Sequence, residues 1–245
     1  MSNIRLTIQY DGTRYLGWQR PQKDNYHKTV SCRLKKTLEK LTQESVTLFC
    51  GAKTEPGVHA LAQTVSFQTS SPMPPEKLKT LLNQYLPMDI SILDAQAAPE
   101  RFRADLNACS RTYEYRICTS QVSDIFTSRY SAHLYPAPSL NLMRRAAELL
   151  MGRHDFGGFS PAKKKKTSQK EILDIHFVRE DSVLTIFLTA NDFLYQMPSL
   201  VIGTLLEIGS GSRAVESIAG ILEKKERAGA PCDAKGLLLS SIQYK

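Results

Sequence analysis

The order of strand-like and helix-like hydrophobic patterns constrains the fold of this chain most strongly. Residues 3–10 alternate apolar and polar side chains, which predicts a strand buried on one face. Residues 29–42 repeat apolar side chains at helical spacing behind Thr29, a typical N-cap residue. Two further strands, a helix over 75–85 and a short strand over 90–93 follow. The first hundred residues are therefore predicted to form the order β-α-β-β-α-β.

A similar order follows in the rest of the chain. The predicted strands cover 108–119, 172–178, 183–190 and 239–244, and the predicted helices cover 139–151, 193–207 and 214–225. This alternation predicts an α+β fold made of two similar halves, residues 1–106 and 107–245. The glycines at 209 and 211 are predicted to end a helix, because no strand leads into them as a phosphate-binding loop requires.

One polar loop, residues 49–60, is held between two of the predicted strands. Within seven residues it carries the cation of Lys53, the hydroxyl of Thr54, the carboxylate of Glu55 and the imidazole of His59. Loops fixed by rigid strands often carry function, but polar residues are also usual in a solvated turn. The composition of the loop leaves both interpretations open.

This loop and four other stretches resemble motifs of the tRNA pseudouridine synthase A family. The family's G-R-T-D-A-G-V-H-A corresponds to A-K-T-E-P-G-V-H-A at residues 52–60. Residues 10–19 resemble Y-D-G-T-x-Y-x-G-W-Q, and residues 83–90 resemble N-x-x-L-P-x-D-I. Residues 111–115 resemble R-x-Y-x-Y, and residues 191–197 resemble N-x-F-L-x-x-M. Five matches in the same order indicate membership of this family.

The resemblance implies an architecture and a reaction. The architecture is a mixed, mainly antiparallel sheet with helices on one side, a central cleft between the halves, and a homodimer. The reaction is the isomerisation of uridine to pseudouridine in the anticodon arm of tRNA, in which the glycosidic bond breaks and the turned base is rejoined through carbon. It needs a carboxylate beside the sugar and a late proton acceptor, but no metal and no organic cofactor.

The same resemblance implies roles for particular residues. Glu55 takes the nucleophile position, Lys53 corresponds to the arginine of the motif, and Tyr113 packs on the target base and is a candidate base. The residues predicted to bind substrate are Arg14, Trp18, Arg20, Thr54, His59, Arg103, Arg111 and the lysine run Lys163, Lys164, Lys165 and Lys166.

Two of these predictions have an ordinary structural alternative. Trp18 lies close in sequence to Arg14 and Tyr15, a mixture that suits RNA, yet a single tryptophan after a strand is more often a core anchor. The lysine run must face water or a polyanion, and most such runs are only solvated. A net charge of +8 favours a polyanionic partner such as tRNA or another structured RNA.

The sequence departs from its family at the positions nearest to the chemistry. Glu55 is one methylene longer than aspartate, and a displacement of about 1 Å can cost ~10²-fold in rate. Lys53 offers a point charge in place of a planar guanidinium, and Pro56 replaces a small residue. Asp105 and Ser199 stand where the family has arginines, the second of which is expected to pair with the catalytic carboxylate.

Three functions therefore remain open. The matches at Thr54, Gly57, Val58 and His59 favour a working synthase. The three lost or altered charges favour a paralogue that keeps the fold and binds RNA without isomerising uridine. A protein that uses the fold only to bind a partner is also compatible with the sequence.

The cysteine content and the hydropathy of the chain predict its cellular location. The five cysteines show neither paired nor metal-ligand spacing, which predicts reduced thiols in a cytosolic protein. The chain shows no signal-peptide pattern and no apolar run of about 18 residues, so a cytoplasmic protein without membrane contact is expected.

Overall fold

The computed structural model describes residues 1–19, 26–161 and 167–245. The chain forms two compact units, one of Met1–Cys109 with Leu238–Lys245 and the other of Ser110–Leu237. The first unit thus includes the last eight residues of the chain. The division into functional halves at residue 106 stays a prediction. Arg20 and Lys163, Lys164, Lys165 and Lys166 lie outside the described residues.

The regular elements of the described residues are ten strands and five α-helices. The strands are β1 (Ser2–Tyr10), β2 (Phe49–Cys50), β3 (His59–Thr69), β4 (Ile90–Ala98), β5 (Ala108–Cys118), β6 (Ala132–His133), β7 (Gly152–Asp155), β8 (Gln169–Glu180), β9 (Val183–Ala190) and β10 (Leu237–Tyr244). The helices are α1 (Val30–Thr42), α2 (Pro75–Tyr85), α3 (Leu140–Leu150), α4 (Met197–Gly209) and α5 (Ser217–Leu222). Short 3-10 turns cover Tyr26–Lys28, Phe156–Phe159 and Ala234–Gly236.

The first unit is built on a sheet with the strand order β4-β1-β3-β10, and β2 pairs with β3. β1 runs antiparallel to β3 and β4, whereas β10 runs parallel to β3. Alternate side chains of β1, from Ile4 to Tyr10, are buried. The apolar stripes of α1 and α2, including Leu34 and Leu82, are also fully buried. These side chains supply the core of this unit.

The second unit has the strand order β5-β9-β8-β7, and β6 pairs in parallel with β5. The other pairs of this sheet are antiparallel. α4 buries ten of its thirteen residues, so it is a core helix rather than an amphipathic surface helix. The predicted α+β class with a mixed, mainly antiparallel strand arrangement is therefore confirmed.

Several boundaries differ from the predicted ones for local reasons. The helix expected from residue 193 begins only at Met197, because Gln196 has a left-handed backbone (φ 60°) that a helix does not accept. β4 continues to Ala98, because it stays paired with β1 as far as the Asn3–Ala98 position. The strand expected over 46–49 is reduced to the two residues of β2. The bounds predicted for α2 and β9 are confirmed.

None of the helices in the described ranges is long and apolar enough to cross a membrane. α4 ends at Gly209, and Gly211 follows in the left-handed region (φ 79°), which confirms the helix stop predicted there.

Candidate functional site

The first residues of the polar loop are hydrogen-bonded to β3. Gln63, which is fully buried, accepts the N–H of Ala52 at 3.2 Å and donates its amide to the Ala52 carbonyl at 2.6 Å. The N–H of Gly51 donates to the carbonyl of Thr64 at 2.9 Å. The first residues of the loop therefore continue the hydrogen bonding of β3, although they are not part of a strand.

Thr54 is the internal anchor of the loop. Its hydroxyl lies 2.7 Å from the hydroxyl of Tyr10, and its carbonyl accepts the N–H of Trp18 at 3.0 Å. Burial raises the pKa of Tyr10 above its usual range. Because Thr54 is only 4% exposed, the structure gives it a supporting role in the unit, and contact with a substrate stays a prediction.

A tight turn follows Thr54 and carries the carboxylate. The N–H of Val58 donates to the carbonyl of Glu55 at 3.2 Å, and Gly57 has a left-handed backbone (φ 79°) that favours glycine. The side chain of Glu55 is half-buried, whereas Lys53 and Pro56 are exposed. The Glu55 carboxylate is therefore partly exposed, on a loop whose backbone is fixed by hydrogen bonds.

Two glycines of the 10–19 motif allow the backbone to approach this turn. A Cβ atom at Gly12 would lie 2.0 Å from the carbonyl oxygen of Val58. A Cβ atom at Gly17, which has φ 85°, would lie 2.5 Å from the carbonyl oxygen of Thr54. Any larger residue would push the segment away from the loop. The segment 11–18 and the loop 51–58 therefore form one cradle.

His59 contributes to this cradle from the first position of β3. It is 2% exposed, and its Nδ1 accepts the N–H of Gly12 at 3.1 Å. The Asp11 carboxylate lies 3.1 Å from the same nitrogen but accepts both the N–H and the hydroxyl of Thr13. Both contacts of Nδ1 come from the N-terminal motif, so they hold the His59 ring against the segment 11–18.

The two predicted site residues of the N-terminal motif, Trp18 and Arg14, differ in exposure. Trp18 is 1% exposed, and its ring lies 6.3 Å from that of Tyr10, which favours the core-anchor alternative. Arg14 is 70% exposed and pairs with Asp89 through Nε at 3.1 Å and Nη2 at 2.5 Å. Its guanidinium is open to solvent on one side, as a phosphate contact requires.

In the second unit, the stretches 111–115 and 191–197 come together. Tyr113 is 5% exposed, and its ring meets that of Phe193 edge to face, with centroids 5.2 Å apart. Arg111 donates to the carbonyl of Asn191 at 2.7 Å and lies 3.4 Å from the carboxylate of Asp192. Both predicted site residues of β5 are therefore positioned by the segment before α4.

The two positions that depart most from the family have local partners. The Ser199 hydroxyl, in the first turn of α4, donates to the carbonyl of Gln196 at 3.1 Å and is 3% exposed. Asp105 accepts two hydrogen bonds from Arg103, at 3.1 and 2.7 Å, and raises the pKa of that guanidinium. Arg103 also lies 4.0 Å above the ring of Phe49. Arg103 is thus held by an acid within its own segment.

The sequence motifs do not indicate the supporting roles of Gln63 and Asp89. For Gln63 a signal is present, because a polar side chain on an inward strand position indicates a buried hydrogen bond. The motif at residues 83–90 includes Asp89 but gives it no partner. The described residues hold no group of three or more His, Cys, Asp or Glu side chains suited to a metal ion.

Comparison with known proteins adds independent information. The profile of the family described as tRNA pseudouridine synthase matches residues 6–106 and 146–245. tRNA pseudouridine synthase A 2 of Clostridium tetani (strain Massachusetts / E88) is 37% identical over 245 residues, which are 99% of this chain and 98% of that protein. tRNA pseudouridine synthase A of Caldicellulosiruptor bescii (strain ATCC BAA-1888 / DSM 6725 / KCTC 15123 / Z-1320) is 39% identical over 249 residues, with complete coverage of both.

Among solved structures, the likeness is remote. A chain in the crystal structure of a Cbf5-Nop10-Gar1 complex is 9% identical, with a TM-score of 0.39. The match covers 96% of this chain but only 48% of that one, so this chain spans about half the length of that neighbour. A likeness of this size carries no argument about the site.

Proposed function

Because this chain belongs to the tRNA pseudouridine synthase family, we propose that it isomerises uridine to pseudouridine in the anticodon arm of tRNA, with Glu55 in the nucleophile position. The observation that supports the proposal is the restraint of residues 51–58. Hydrogen bonds of Ala52 with Gln63 and of Thr54 with Tyr10 and Trp18 hold the chain before Glu55. After Glu55, the N–H of Gly57 donates to the carbonyl of Tyr15. A carboxylate on a restrained loop is what attack on a sugar carbon requires.

The reaction assigns one task to the Glu55 carboxylate. As the bond between the ribose C1′ and uracil N1 breaks, its electron pair stays on the base, and the carboxylate forms a bond to the sugar or stabilises its positive charge. The base then turns and C5 bonds to C1′, as any bond between C1′ and the carboxylate breaks and frees the carboxylate. The C5 proton leaves and N1 carries a proton in the product, so no oxidant is needed. Tyr113 is the candidate acceptor of the C5 proton.

A second candidate function is an RNA-binding paralogue without isomerase activity. The observation that favours it is the set of contacts made by Ser199 and Asp105, the two residues that replace arginines of the family. The Ser199 hydroxyl is turned toward the helix backbone, and Asp105 holds Arg103 in a bidentate pair. Neither side chain supplies the cation expected at its position, so the ionised form of Glu55 would depend on other partners.

Chemical mapping of pseudouridine in unmodified tRNA transcripts distinguishes these functions. A working enzyme modifies uridines on the 3′ side of the anticodon stem-loop, and Glu55→Gln abolishes the product. Glu55→Asp, which shortens the side chain to the family's length, keeps or raises the rate. Salt-sensitive binding without product would identify the paralogue, and absence of both would exclude each RNA function.

The proposed partners are tRNA and a second copy of this chain. Arg14 and the lysine run at 163–166 are proposed to contact phosphates, and alanine replacements should then lower the salt dependence of binding. The exposed apolar side chains Val122, Ile125 and Phe126 support self-association through the second unit. Light scattering of Phe126→Ser against the unchanged protein tests the homodimer. A cytoplasmic location stays a prediction.

A further inference from the structure

The motif at residues 10–19 and the motif at residues 83–90 meet at Asp89, which lies between α2 and β4. Its carboxylate is only 10% exposed and accepts the Tyr15 hydroxyl at 2.6 Å and the guanidinium of Arg14. Its backbone carbonyl accepts the N–H of Asp11 at 3.0 Å. Asp89 therefore fixes the N-terminal segment 11–18 at three points.

A short chain of hydrogen bonds leads from Asp89 to the carboxylate-bearing turn. Tyr15, whose hydroxyl is bound by Asp89, accepts the N–H of Gly57 through its own carbonyl at 3.1 Å. Gly57 lies between Glu55 and Val58, which close the turn with a 3.2 Å hydrogen bond. A shift of Tyr15 would therefore move the backbone two residues after Glu55.

Within the described part of the chain, the hydroxyl of Tyr15 donates its hydrogen bond to Asp89. It is 7% exposed, and burial together with the Asp89 hydrogen bond raises its pKa above the usual range, so the hydroxyl remains a donor at neutral pH. Without an acceptor at Asp89, this buried hydroxyl would be left unsatisfied and would reorient. Together with the hydrogen bond from the Tyr15 N–H to the Gly12 carbonyl at 2.9 Å, the carboxylate therefore sets the position of Tyr15.

We propose that Asp89 is a positioning residue for Glu55, acting through Tyr15 and the N–H of Gly57. The part that concerns catalysis depends on the proposed function, since Glu55 must be the reacting carboxylate. The part that concerns the loop does not. Arg14, which is bound to the same carboxylate but reaches solvent, has a different role, because its loss leaves the hydrogen bonds from Asp89 to Gly57 in place.

The test compares Asp89→Ala, Asp89→Asn and Tyr15→Phe. Misplacement of the carboxylate lowers kcat and not the affinity for tRNA, so we expect kcat to fall about tenfold or more with KM within about twofold. Asp89→Asn, which keeps an oxygen acceptor for Tyr15, should lie between the unchanged protein and Asp89→Ala. The double variant Asp89→Ala with Tyr15→Phe should be no slower than Asp89→Ala alone, because both act on one path.

Hydrogen exchange supplies a readout that needs no activity. Peptides covering residues 54–60 should exchange faster in Tyr15→Phe and Asp89→Ala, while peptides from residues 34–42 of α1 stay unchanged. The matched control is Asp94→Asn, a carboxylate of β4 whose contact is with Gln96 at 3.1 Å. It should leave both kcat and exchange as they are.

The outcomes separate this inference from the proposed function. If the unchanged protein forms no pseudouridine, the proposed function fails, while faster exchange in Tyr15→Phe still supports the positioning role. If exchange over 54–60 is unaffected by Tyr15→Phe, the inference is overturned whatever the activity. A loss of kcat in Asp94→Asn equal to that in Asp89→Ala would also overturn it, since any carboxylate change would then act alike.

Discussion

Replacing Gln63 with methionine should both destabilise the first unit and loosen the loop that carries Glu55. Methionine has a similar length and no hydrogen-bonding amide, so the N–H and carbonyl of Ala52 would lose their partners. Ala52 is 8% exposed, so water reaches these groups poorly. An unsatisfied buried polar group costs about 1–3 kcal/mol, so the two together predict a loss of about 2–6 kcal/mol in the free energy of unfolding.

Urea unfolding followed by tryptophan fluorescence measures this loss in the relevant unit. Trp18 is the only tryptophan of the chain and is buried in the first unit. Its emission therefore reports the unfolding of the unit that contains Gln63. The midpoint should move to lower urea while the slope stays the same, because the surface exposed on unfolding does not change.

Gln68→Met is the matched control for this substitution. Gln68 lies on the same strand and is exposed, and its amide donates to the Glu100 carbonyl across a long distance of 3.5 Å. It should change stability by less than about 0.5 kcal/mol, as surface substitutions usually do. Equal effects of the two substitutions, or a Gln63→Met protein as stable as the unchanged one, would refute the assigned role of Gln63.

Three further outcomes follow from single side chains. Glu55→Asp should keep or raise isomerase activity with unchanged thermal stability, because the loop is held by its backbone and by Thr54. Gly17→Ala should cost more than about 1 kcal/mol in chemical denaturation, since a Cβ atom would lie 2.5 Å from a backbone oxygen at φ 85°. The hydrogen bonds of Lys224 and Ser168 lower the pKa of Asp155 from 3.8 to about 2, so its contribution is present above pH 4 and lost as the pH falls toward 2. This carboxylate is 31% exposed, so its contribution to the free energy of unfolding is about 1–2 kcal/mol. Unfolding at pH 6 and pH 3 measures the acid sensitivity, and Asp155→Asn should remove this part of it.

Sequence patterns predicted those parts of the fold in which local and tertiary preferences agree. Pro75 at the start and Pro87 beyond the end mark the bounds of α2, and the period-two alternation of residues 183–190 marks β9. The expected start of the next helix at residue 193 was wrong. Phe193, Leu194 and Tyr195 continue the apolar pattern, but the left-handed backbone at Gln196 does not permit a helix there.

The candidate site was predicted less completely, because partners in space are not written in sequence spacing. The resemblance pointed to Glu55, Thr54 and His59, and the structure places all three in one cradle. It did not indicate that Asp89 binds Tyr15, seventy-four residues earlier in the chain. Contacts of this kind depend on the register between β1, β3 and β4, which no single segment determines.

The departures from the family differ in how easily each could be reversed. Glu55 projects from a backbone held by Thr54 and Val58, so shortening its side chain disturbs none of these contacts. Ser199 is different, since its hydroxyl is 3% exposed, and a guanidinium there would have to enter the packed first turn of α4. If the chain proves inactive because of Glu55, the single substitution Glu55→Asp should therefore restore isomerase activity. If the cause is the missing arginine at position 199, one substitution should not restore it, because the surrounding side chains would also have to change.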